Sequence, residues 1–483
     1  MIRPCNYYTE LFSVDIRAME DLIATALSHG GDYADLFFES TTYNDLYLRD
    51  GAVSSGGYHI DFGVGIRTLV GEKTGYAYSE STEPSAMHAA AAASAAIAQG
   101  YRVPSAADTR PTAAFHGRPN PSADRYPISA DWREWGAEEG VRFLGALEAK
   151  IRAKDSRVIK VIGMISCVTS DVMMYNSHGE LKYDTRPMGT VAVSVIFKKG
   201  SEIRNSHVSR SYRTGAEMLT EQLADTLAAE SVRAVDDMFE ARRPDKGGAM
   251  SVVMGAGASG ILLHEAMGHA FEADFNRKGQ SVFSDMIGQR LCRKEINIID
   301  DGTIAGNRGA LNFDDEGVPG QKTYMIEDGV LTSFLHDRVS ASYYGVRPTG
   351  NGRRESFRFN PIPRMRATYM EGGDAAPEDI IASVKKGIYV DEFANGQVKI
   401  GEGDFTFYVK SGYLIEDGRL TRPVCDLNII GNGPKALGDI VAVGNDARID
   451  EGAWTCGKEQ NVPVSCGIPT VRVENLIVGG ENQ

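Results

Sequence analysis

The chain has 483 residues, which is too many for one ordinary domain and suits two or three. Its 51 basic and 65 acidic side chains give a net charge of −14, which argues against a surface that binds nucleic-acid phosphates. Apolar residues make up 42% of the chain and charged residues 24%, the profile of a soluble globular protein.

The first half of the chain alternates helical and strand patterns. Apolar periodicity predicts a helix over residues 15–29, which stops at Gly30-Gly31. Short alternating runs with turn residues follow and predict hairpins, and 85–98 is typical of an alanine-rich packed helix. The order helix, hairpins, helix then recurs between 133 and 240. These patterns predict an N-terminal α+β domain over residues 1–245.

After residue 245 the composition shifts toward strands. YMIEDGVLT at 324–332 matches YLIEDGRLT at 413–421 at most positions, and Asp-Gly between alternating apolar residues is a strong hairpin signal. The pair suggests a β-rich domain built from related halves; coincidental use of one hairpin solution is the alternative. The predicted fold class is α+β with two domains. Helices and β-hairpins form the N-terminal domain, and the β-rich domain over 246–483 carries a candidate metal-binding helix.

That helix contains the pattern His-Glu-x-x-x-His, in HEAMGH at residues 264–269. In the familiar zinc-protease motif the two histidines are four residues apart, which places both imidazoles on one helical face. Here they are five apart, which rotates the second by roughly 140°. A π-type turn near Gly268, a weak helix former, would bring both imidazoles to one side. The alternative is an ordinary helix with one core histidine and one surface histidine.

The glycines before this helix, Gly255-x-Gly257-x-x-Gly260, fit a dinucleotide-binding fingerprint between a strand and a helix. That fold also needs a following parallel strand that ends in an acidic residue, and residues 270–285 contain no buried-strand pattern. We therefore attribute the glycines to close backbone approach beside the helix.

A catalytic zinc ion needs a third protein ligand and an open position. Cys456 and Cys466 could each supply the ligand, and Cys456 precedes a glycine and a lysine whose charge favours a thiolate. A buried structural cysteine is the alternative for both. Glu265 would project toward a metal-bound water as general base and then donate the proton to the leaving amine. A solvated helix glutamate is the alternative for Glu265.

Several longer segments, in the same order, resemble the TldD/PmbA family of metalloproteases. They are HEAMGHAFEADFNRKG (264–279), NGRRESFRFNPIPRMRATYM (351–370), GQVKI (396–400), CGK (456–458) and PTVRVENLIVGG (469–480). The resemblance implies a zinc-dependent peptidase whose metal ligands map onto His264, His269 and Cys456, with the catalytic glutamate on Glu265. It also implies that the helix accommodates the five-residue spacing.

The chain departs from the family pattern in one place. The usual Cys-Gly-Lys-x-Gly-Gln is Cys-Gly-Lys-Glu-Gln-Asn at 456–461, which is one residue shorter than the family pattern before Val462. Cys466 then falls where the family usually has an aliphatic residue, so it stays open as a ligand, although Cys456 keeps the Cys-Gly-Lys position. The resemblance also implies a dimer, with a PmbA-like subunit or with a second copy, in which this chain is the catalytic TldD-type subunit.

A β-rich domain can bind an extended peptide by strand addition, which gives affinity that is independent of sequence. Four polar residues of the matching segments could line the cleft, namely Asn351, Arg353, Arg354 and Gln397. Loop capping and surface ion pairs are their alternatives. The predicted function is hydrolysis of unfolded or small peptides by a zinc-activated water. A zinc hydrolase acting on another amide and a regulatory or interaction protein with a vestigial site are the other hypotheses.

The six cysteines are scattered and contain no Cys-x-x-Cys pair, which excludes a standard zinc ribbon and offers no disulfide framework. The first residues lack a basic head followed by an apolar core, so they predict no secretory signal. No apolar run is long enough to span a bilayer. We therefore expect a cytoplasmic protein that binds neither a membrane nor nucleic acid.

Overall fold

Helices and strands occur in both halves of the described part of the chain, so the fold class is α+β, as the sequence predicts. The computed structural model describes residues 3–99, 124–244, 247–257, 259–399 and 401–479. None of the helices in these ranges is both long and apolar enough to cross a membrane.

The described residues of the N-terminal half form a sheet of six antiparallel strands. They are β1 (Tyr33–Arg49), β2 (Ala52–Val70), β3 (Lys73–Ser79), β4 (Val158–Asn176), β5 (Leu181–Lys199) and β6 (Glu202–Tyr212). Their order across the sheet is β3-β2-β1-β4-β5-β6, so each of the two repeated sequence patterns contributes three adjacent strands. The central strands β1 and β4 join the repeats, with Asp35 opposite Asn176 at one end and Arg49 opposite Ile162 at the other.

Six helices in the described ranges pack against this sheet. They are α1 (Cys5–Leu11), α2 (Ile16–Ala26), α3 (Pro84–Ala95), α4 (Ala137–Lys154), α5 (Glu221–Val232) and α6 (Val235–Glu240). α2 begins after Asp15, whose side chain accepts a hydrogen bond from the backbone N–H of Ala18 at 2.8 Å and caps the helix. The first three helices share an apolar core with β1 and β2, and the other three share one with β4 and β5.

The C-terminal half consists mainly of short strands with short helices between them. The strands are β7 (Gly248–Met254), β8 (Ile298–Asp301), β9 (Lys322–Glu327), β10 (Val330–Leu331), β11 (Gly352–Arg353), β12 (Ile362–Pro363), β13 (Ala367–Met370), β14 (Lys386–Lys399), β15 (Asp404–Glu416), β16 (Arg419–Val424), β17 (Leu427–Asn432), β18 (Ile440–Val443), β19 (Arg448–Ile449), β20 (Thr455–Cys456), β21 (Val462–Pro463), β22 (Ser465–Ile468) and β23 (Val471–Gly479). The helices are α7 (Gly260–Ala266), α8 (Ala273–Asn276), α9 (Arg338–Tyr344), α10 (Pro377–Ala382) and α11 (Gly433–Gly438).

Five of these strands close into a ring. β14 pairs with β7, β7 with β23, β23 with β17 and β17 with β15, and β15 returns to β14. Side chains of the ring, among them Val252 and Phe407, meet in one apolar core. Leu263 and Met267 belong to the same core, so the candidate metal helix α7 is anchored on this ring.

Both predicted Asp-Gly hairpins form. Asp328 and Gly329 connect β9 to β10, Asp417 and Gly418 connect β15 to β16, and all four residues have positive φ, as this two-residue turn requires. The first hairpin belongs to a sheet of order β10-β9-β8-β13-β22-β19, and the second belongs to the ring. The two sheets differ in strand order. The shared sequence is therefore better explained by two hairpins that use the same type of turn than by a C-terminal domain built from two related halves.

Buried ion pairs join the two halves of the chain. Arg67 of β2 donates to Glu316 at 2.6 Å, and Arg186 of β5 donates to Asp315 at 2.5 Å, with all four side chains at most 8% exposed. The described strands of the first sheet end at Tyr212, and those of the C-terminal half begin at residue 248. A boundary between two domains near residue 245 remains our proposal.

Candidate metal centre

Glycines let α7 lie close to neighbouring strands. A Cβ added to Gly260 would lie 2.5 Å from the backbone nitrogen of Gly467 in β22, and a Cβ on Gly255 would overlap the hydroxyl group of Tyr389 in β14. Gly257 has a φ of +89°, which side-chain-bearing residues rarely adopt. The predicted close approach of backbone segments is confirmed at Gly260, whereas the nearest neighbours of Gly255 and Gly257 are the side chains of Tyr389 and Arg448.

The backbone breaks between the two histidines. α7 ends at Ala266, Met267 has φ −131° and ψ −40°, and a 3-10 turn follows over Gly268–Phe271. The π-type turn considered for this spacing does not form, and the expectation that one helix accommodates both histidines is wrong, because the helix ends at Ala266 and a tighter 3-10 turn follows. Met365 packs closely against this turn: a Cβ on Gly268 would overlap its Sδ, so the turn leaves no room for a side chain at position 268.

The break brings both imidazoles beside one cysteine. The ring centroids of His264 and His269 are 5.2 Å apart, with the ring planes at 80°. Sγ of Cys456, on β20, lies 3.3 Å from Nε2 of His269. One ligand atom from each of these three buried residues lies within 4.8 Å of the other two. Cys466 is placed elsewhere, on β22 opposite Thr368 of β13.

His264 provides the test of whether these residues fit a metal ion. The residue is 1% exposed, and neither ring nitrogen has a hydrogen-bond partner within the part of the chain that the structure describes. A buried polar atom without a partner costs free energy, which coordination of a cation would offset. Two imidazole nitrogens and one thiolate, with one position left open, are a donor set that suits zinc.

A buried carboxylate orients His269. Oε2 of Glu272 accepts a hydrogen bond from Nδ1 of His269 at 2.8 Å. An ionised carboxylate can only accept, so Nδ1 carries the proton and Nε2 faces Cys456. Burial raises the pKa of Glu272, but the charges of Lys458 and His269 outweigh burial and hold this pKa well below its usual range.

The same charges shift the pKa values of two candidate ligands. Burial lowers the pKa of His269, but Glu272 and Cys456 outweigh burial and raise it to about 10. Burial raises the pKa of Cys456, but His264 and His269 outweigh burial and lower it to about 4. Both shifts favour a thiolate on Cys456 and a protonated His269 in the metal-free protein.

Glu265 lies beside the candidate ligands, where solvent can reach it. Its side chain is 26% exposed, and its Oε2 lies 3.8 Å from Nε2 of His269. A carboxylate in this position can exchange a proton with a water molecule bound next to the three donors.

The predicted substrate-binding residues occupy two different environments. Asn351 is buried and donates to Asp300 at 2.7 Å, and the buried side chains of Arg353 and Arg354 donate to backbone carbonyl oxygens. Gln397 is exposed on β14. Their roles in a substrate cleft remain predictions.

Sequence patterns do not single out two buried residues of the site, Glu272 and Arg364. Arg364 donates to the backbone carbonyl oxygens of Cys456 at 2.7 Å and Lys458 at 3.0 Å. The sequence offered one signal for Glu272, its position three residues after His269 on the same short segment. It offered none for Arg364, because that contact depends on how distant loops pack.

Comparison with known proteins identifies the family. Residues 34–98, 130–239 and 247–480 match, in that order, domain 1, the central domain and the C-terminal domain of the PmbA/TldA metallopeptidases. The chain is 39% identical over 458 residues to the metalloprotease TldD homolog of Haemophilus influenzae, with 93% of each protein covered. The chain belongs to the PmbA/TldD metallopeptidase family.

Two further PmbA/TldD comparisons agree with this assignment. The metalloprotease TldD homolog of Buchnera aphidicola subsp. Acyrthosiphon pisum is 35% identical over 473 residues, which cover 96% of this chain and 95% of that protein. The crystal structure of TldE from Thermococcus kodakarensis superposes with a TM-score of 0.73 at 20% identity and covers 96% of this chain and all of that one. At 20% identity the structural match establishes the fold alone. The family models and the curated relatives confirm the resemblance to the TldD/PmbA family that the sequence shows.

Proposed function

We propose that this chain is a zinc-dependent peptidase that hydrolyses unfolded or small peptides with a metal-activated water. The observation that carries the proposal is the meeting of His264, His269 and Cys456 beside the partly exposed Glu265. The donor set favours zinc, and the relatives named metalloprotease favour peptide hydrolysis.

The residues of the site divide the work of hydrolysis. His264, His269 and Cys456 would hold the metal as its three protein ligands. When bound, zinc supplies Lewis acidity that acidifies water and polarises a carbonyl group. The Glu265 carboxylate takes a proton from the attacking water and returns it to the nitrogen of the leaving amine. Glu272 keeps the His269 proton on Nδ1, so that Nε2 is free to bind the metal.

The outer edge of β14 is the proposed binding site for the peptide backbone. β14 pairs with β15 between Lys386 and Lys399, but with β7 only at residues 387–390. Among the described strands, the other edge of residues 391–399 therefore has no partner. An extended peptide can add there as a further strand, close to α7, which packs on β14. Gln397 is exposed on this segment and would contact the peptide.

We propose that Asn351, Arg353 and Arg354 also contribute to the substrate cleft, by supporting the backbone next to the metal centre. Arg353 donates to the carbonyl oxygens of Met365 and Pro463 at 2.5 and 2.7 Å. Met365 packs against the backbone turn between the two histidines. The segment that carries these three residues is thereby tied to the metal centre.

We further propose that the enzyme is a cytoplasmic dimer, formed with a PmbA-like subunit or with a second copy of the chain. The fold shared with TldE supports a related partner. This chain carries all four residues assigned to metal binding and proton transfer, so it would be the catalytic subunit. Sedimentation of the chain, alone and mixed with a PmbA-like subunit, tests this assembly, and a monomer in both samples would contradict it.

Metal analysis combined with peptide cleavage tests the peptidase proposal. We expect the wild-type chain to bind zinc, His264→Ala and Cys456→Ser to lose it, and Cys466→Ser to keep it. Glu265→Gln should keep its zinc while cleavage of unstructured peptides falls about 10²–10⁴-fold. Cleavage of small non-peptide amides alone would indicate a different zinc hydrolase. Unchanged biological activity in Glu265→Gln would indicate an interaction protein with a vestigial site.

A further inference from the structure

A buried arginine shapes the loop that carries Cys456. The guanidinium of Arg364, which is fully buried, donates to the carbonyl oxygens of Cys456, Lys458 and Gln460 at 2.7, 3.0 and 2.8 Å. Three alternate carbonyl groups of one loop thus converge on a single rigid cation. This arrangement fixes the path of the backbone on either side of Lys458.

Lys458 connects the same loop to Glu272, the residue that accepts a hydrogen bond from His269. Its Nζ lies 3.0 Å from Glu272 and 2.7 Å from Asp274, and its side chain is 5% exposed. The Oε2 atom of Glu272 that faces Lys458 also accepts from Nδ1 of His269 at 2.8 Å. Because Cys456 and Lys458 are two positions apart, one loop reaches both ring nitrogens of His269. The sulfur of Cys456 lies beside Nε2 of His269. Lys458 contacts Glu272, and Glu272 accepts the hydrogen bond from Nδ1 of His269.

Charge balance explains why two cations surround Glu272. Its Oε1 lies 3.9 Å from Nε of Arg364, and Lys458 faces its Oε2. A fully buried carboxylate with no nearby cation would take up a proton or destabilise the fold. The two cations lie where they offset the charge of this carboxylate, and its Oε2 accepts the hydrogen bond from Nδ1 of His269. An acceptor of this kind behind a ligating histidine fixes the orientation of the ring and makes it a better donor.

We propose that Glu272 and Lys458 are positioning residues of the metal centre. Glu272 orients His269, and Lys458 fastens the Cys456 loop to Glu272 while Arg364 sets the path of that loop. The inference deepens the proposed peptidase function and rests on it for the identity of the ligands. Replacing either positioning residue removes no ligand, so its effect must appear in how tightly and in what geometry the metal is held.

Zinc affinity and the spectrum of the cobalt-substituted chain test this inference. Competition with a coloured chelator gives the Kd for zinc, and the thiolate-to-cobalt charge-transfer band reports sulfur ligation. We expect Glu272→Gln and Lys458→Met to raise the zinc Kd by about 10–100-fold and to weaken or shift the band. Lys150→Met is the matched control, since Lys150 also bridges two carboxylates, Glu221 and Asp225, but in the N-terminal half. It should match the wild-type chain in both measurements.

A second control distinguishes the roles of Glu272 and Asp274, the two carboxylates that contact Lys458. Asp274 binds Lys458 at 2.7 Å, whereas Glu272 binds both Lys458 and His269. Asp274→Asn should therefore raise the zinc Kd less than Glu272→Gln does. Equal increases in the two variants would overturn the orienting role of Glu272.

The failure of this inference is distinguishable from the failure of the peptidase proposal. Wild-type zinc Kd and cobalt spectra in Glu272→Gln and Lys458→Met, with Glu265→Gln still metal-loaded and inactive, would overturn the inference alone. A single variant leaves one buried charge unpaired and could fail to fold. In that case the double variant Glu272→Gln/Lys458→Met, which removes both charges of the pair, is measured in place of the single variant. Wild-type zinc affinity in the double variant would also overturn the inference. No zinc binding by the wild-type chain would overturn the peptidase proposal itself.

Discussion

Sγ of Cys456 lies 3.3 Å from Nε2 of His269, although 187 positions separate the two residues along the chain. A ligand set of this kind exists only in the folded chain, so a metal that binds it stabilises the native state by mass action. We expect free zinc at 100 times its Kd to raise the free energy of unfolding by about 2.7 kcal/mol. Thermal unfolding with zinc and after chelation measures this difference.

Cysteine variants provide the control for that prediction. Cys456→Ser should lose most of the zinc-dependent rise in the thermal midpoint. Cys466→Ser should keep it, because Cys466 is not one of the three clustered donors. An equal rise in Cys456→Ser and in the wild-type chain would contradict the assignment of Cys456 as a ligand.

Metal-free protein should contain a Cys456 thiolate at pH 6. The neighbouring histidines lower the pKa of this thiol from 9.0 to about 4 despite its burial. The stabilisation that this shift provides is fully present above the ordinary thiol pKa and is lost as the pH falls through about 4. The ultraviolet thiolate absorbance of the wild-type chain minus that of Cys456→Ser measures the titration. A midpoint near pH 9 would contradict the predicted thiolate.

His269 should contribute to stability with the opposite pH dependence. Glu272 and Cys456 raise its pKa from 6.5 to about 10 despite burial. Its contribution in the metal-free protein is therefore complete below pH 6.5 and is lost as the pH rises through about 10. The contribution of the Cys456 thiolate rises with pH up to 9.0 and offsets this loss, so the window to measure lies above pH 9.0. Denaturant unfolding from there to about pH 10 should show a steeper loss of stability for the wild-type chain than for His269→Gln. Equal slopes would contradict the raised pKa.

Local chemistry made part of the fold predictable, and distant strand pairing made the rest unpredictable. The Asp328-Gly329 and Asp417-Gly418 turns follow from the backbone conformations that hairpins require, so two hairpins could be located from the sequence. The ring is different, because it closes where β14 pairs with β7, with Gly387 opposite Ser251. Apolar periodicity indicates that each segment is a strand but does not specify which distant strand it pairs with.

The candidate metal centre was also only partly predictable from the sequence. His264, Glu265 and His269 share one short segment, so the motif could propose them together. Cys456 was one of two possible thiols until the family resemblance favoured it. Met365, which packs against Gly268 at the helix break, comes from a distant segment that no local pattern connects to this turn. The carboxylate and cations behind His269 likewise become neighbours only through tertiary packing.

Gly268→Ala should lower both stability and zinc affinity. The added Cβ would overlap Sδ of Met365, and overpacking of this kind costs about 1–3 kcal/mol. Zinc affinity should fall as well, because the displaced turn carries His269. Gly145→Ala in α4 is the control, since a Cβ there meets open space and should stabilise the helix by about 0.5–1 kcal/mol. Wild-type zinc affinity in Gly268→Ala would contradict the role given to this contact.

Arg67→Met should weaken the attachment between the two halves. Arg67 of the N-terminal sheet binds Asp35 and, at 2.6 Å, Glu316 of the C-terminal half, and all three side chains are fully buried. Its removal leaves Glu316 without this ion pair and leaves Asp35 with Arg354 at 3.7 Å as a remaining partner, and breaking a buried pair of this kind costs about 3–5 kcal/mol. Calorimetry should show a lower thermal midpoint and separation of one transition into two, because the lost contact joins different parts of the chain.

Two comparisons distinguish loss of this buried contact from loss of an arginine in general. Arg142→Met removes an arginine whose pair with Glu138 is exposed, at 68% and 93%, so it should change stability by less than about 0.5 kcal/mol. Adding Glu316→Gln to Arg67→Met removes the charge that lost this ion pair and should restore part of the loss. A wild-type thermal midpoint in Arg67→Met would contradict the prediction, because loss of the buried pair with Glu316 would then have no cost.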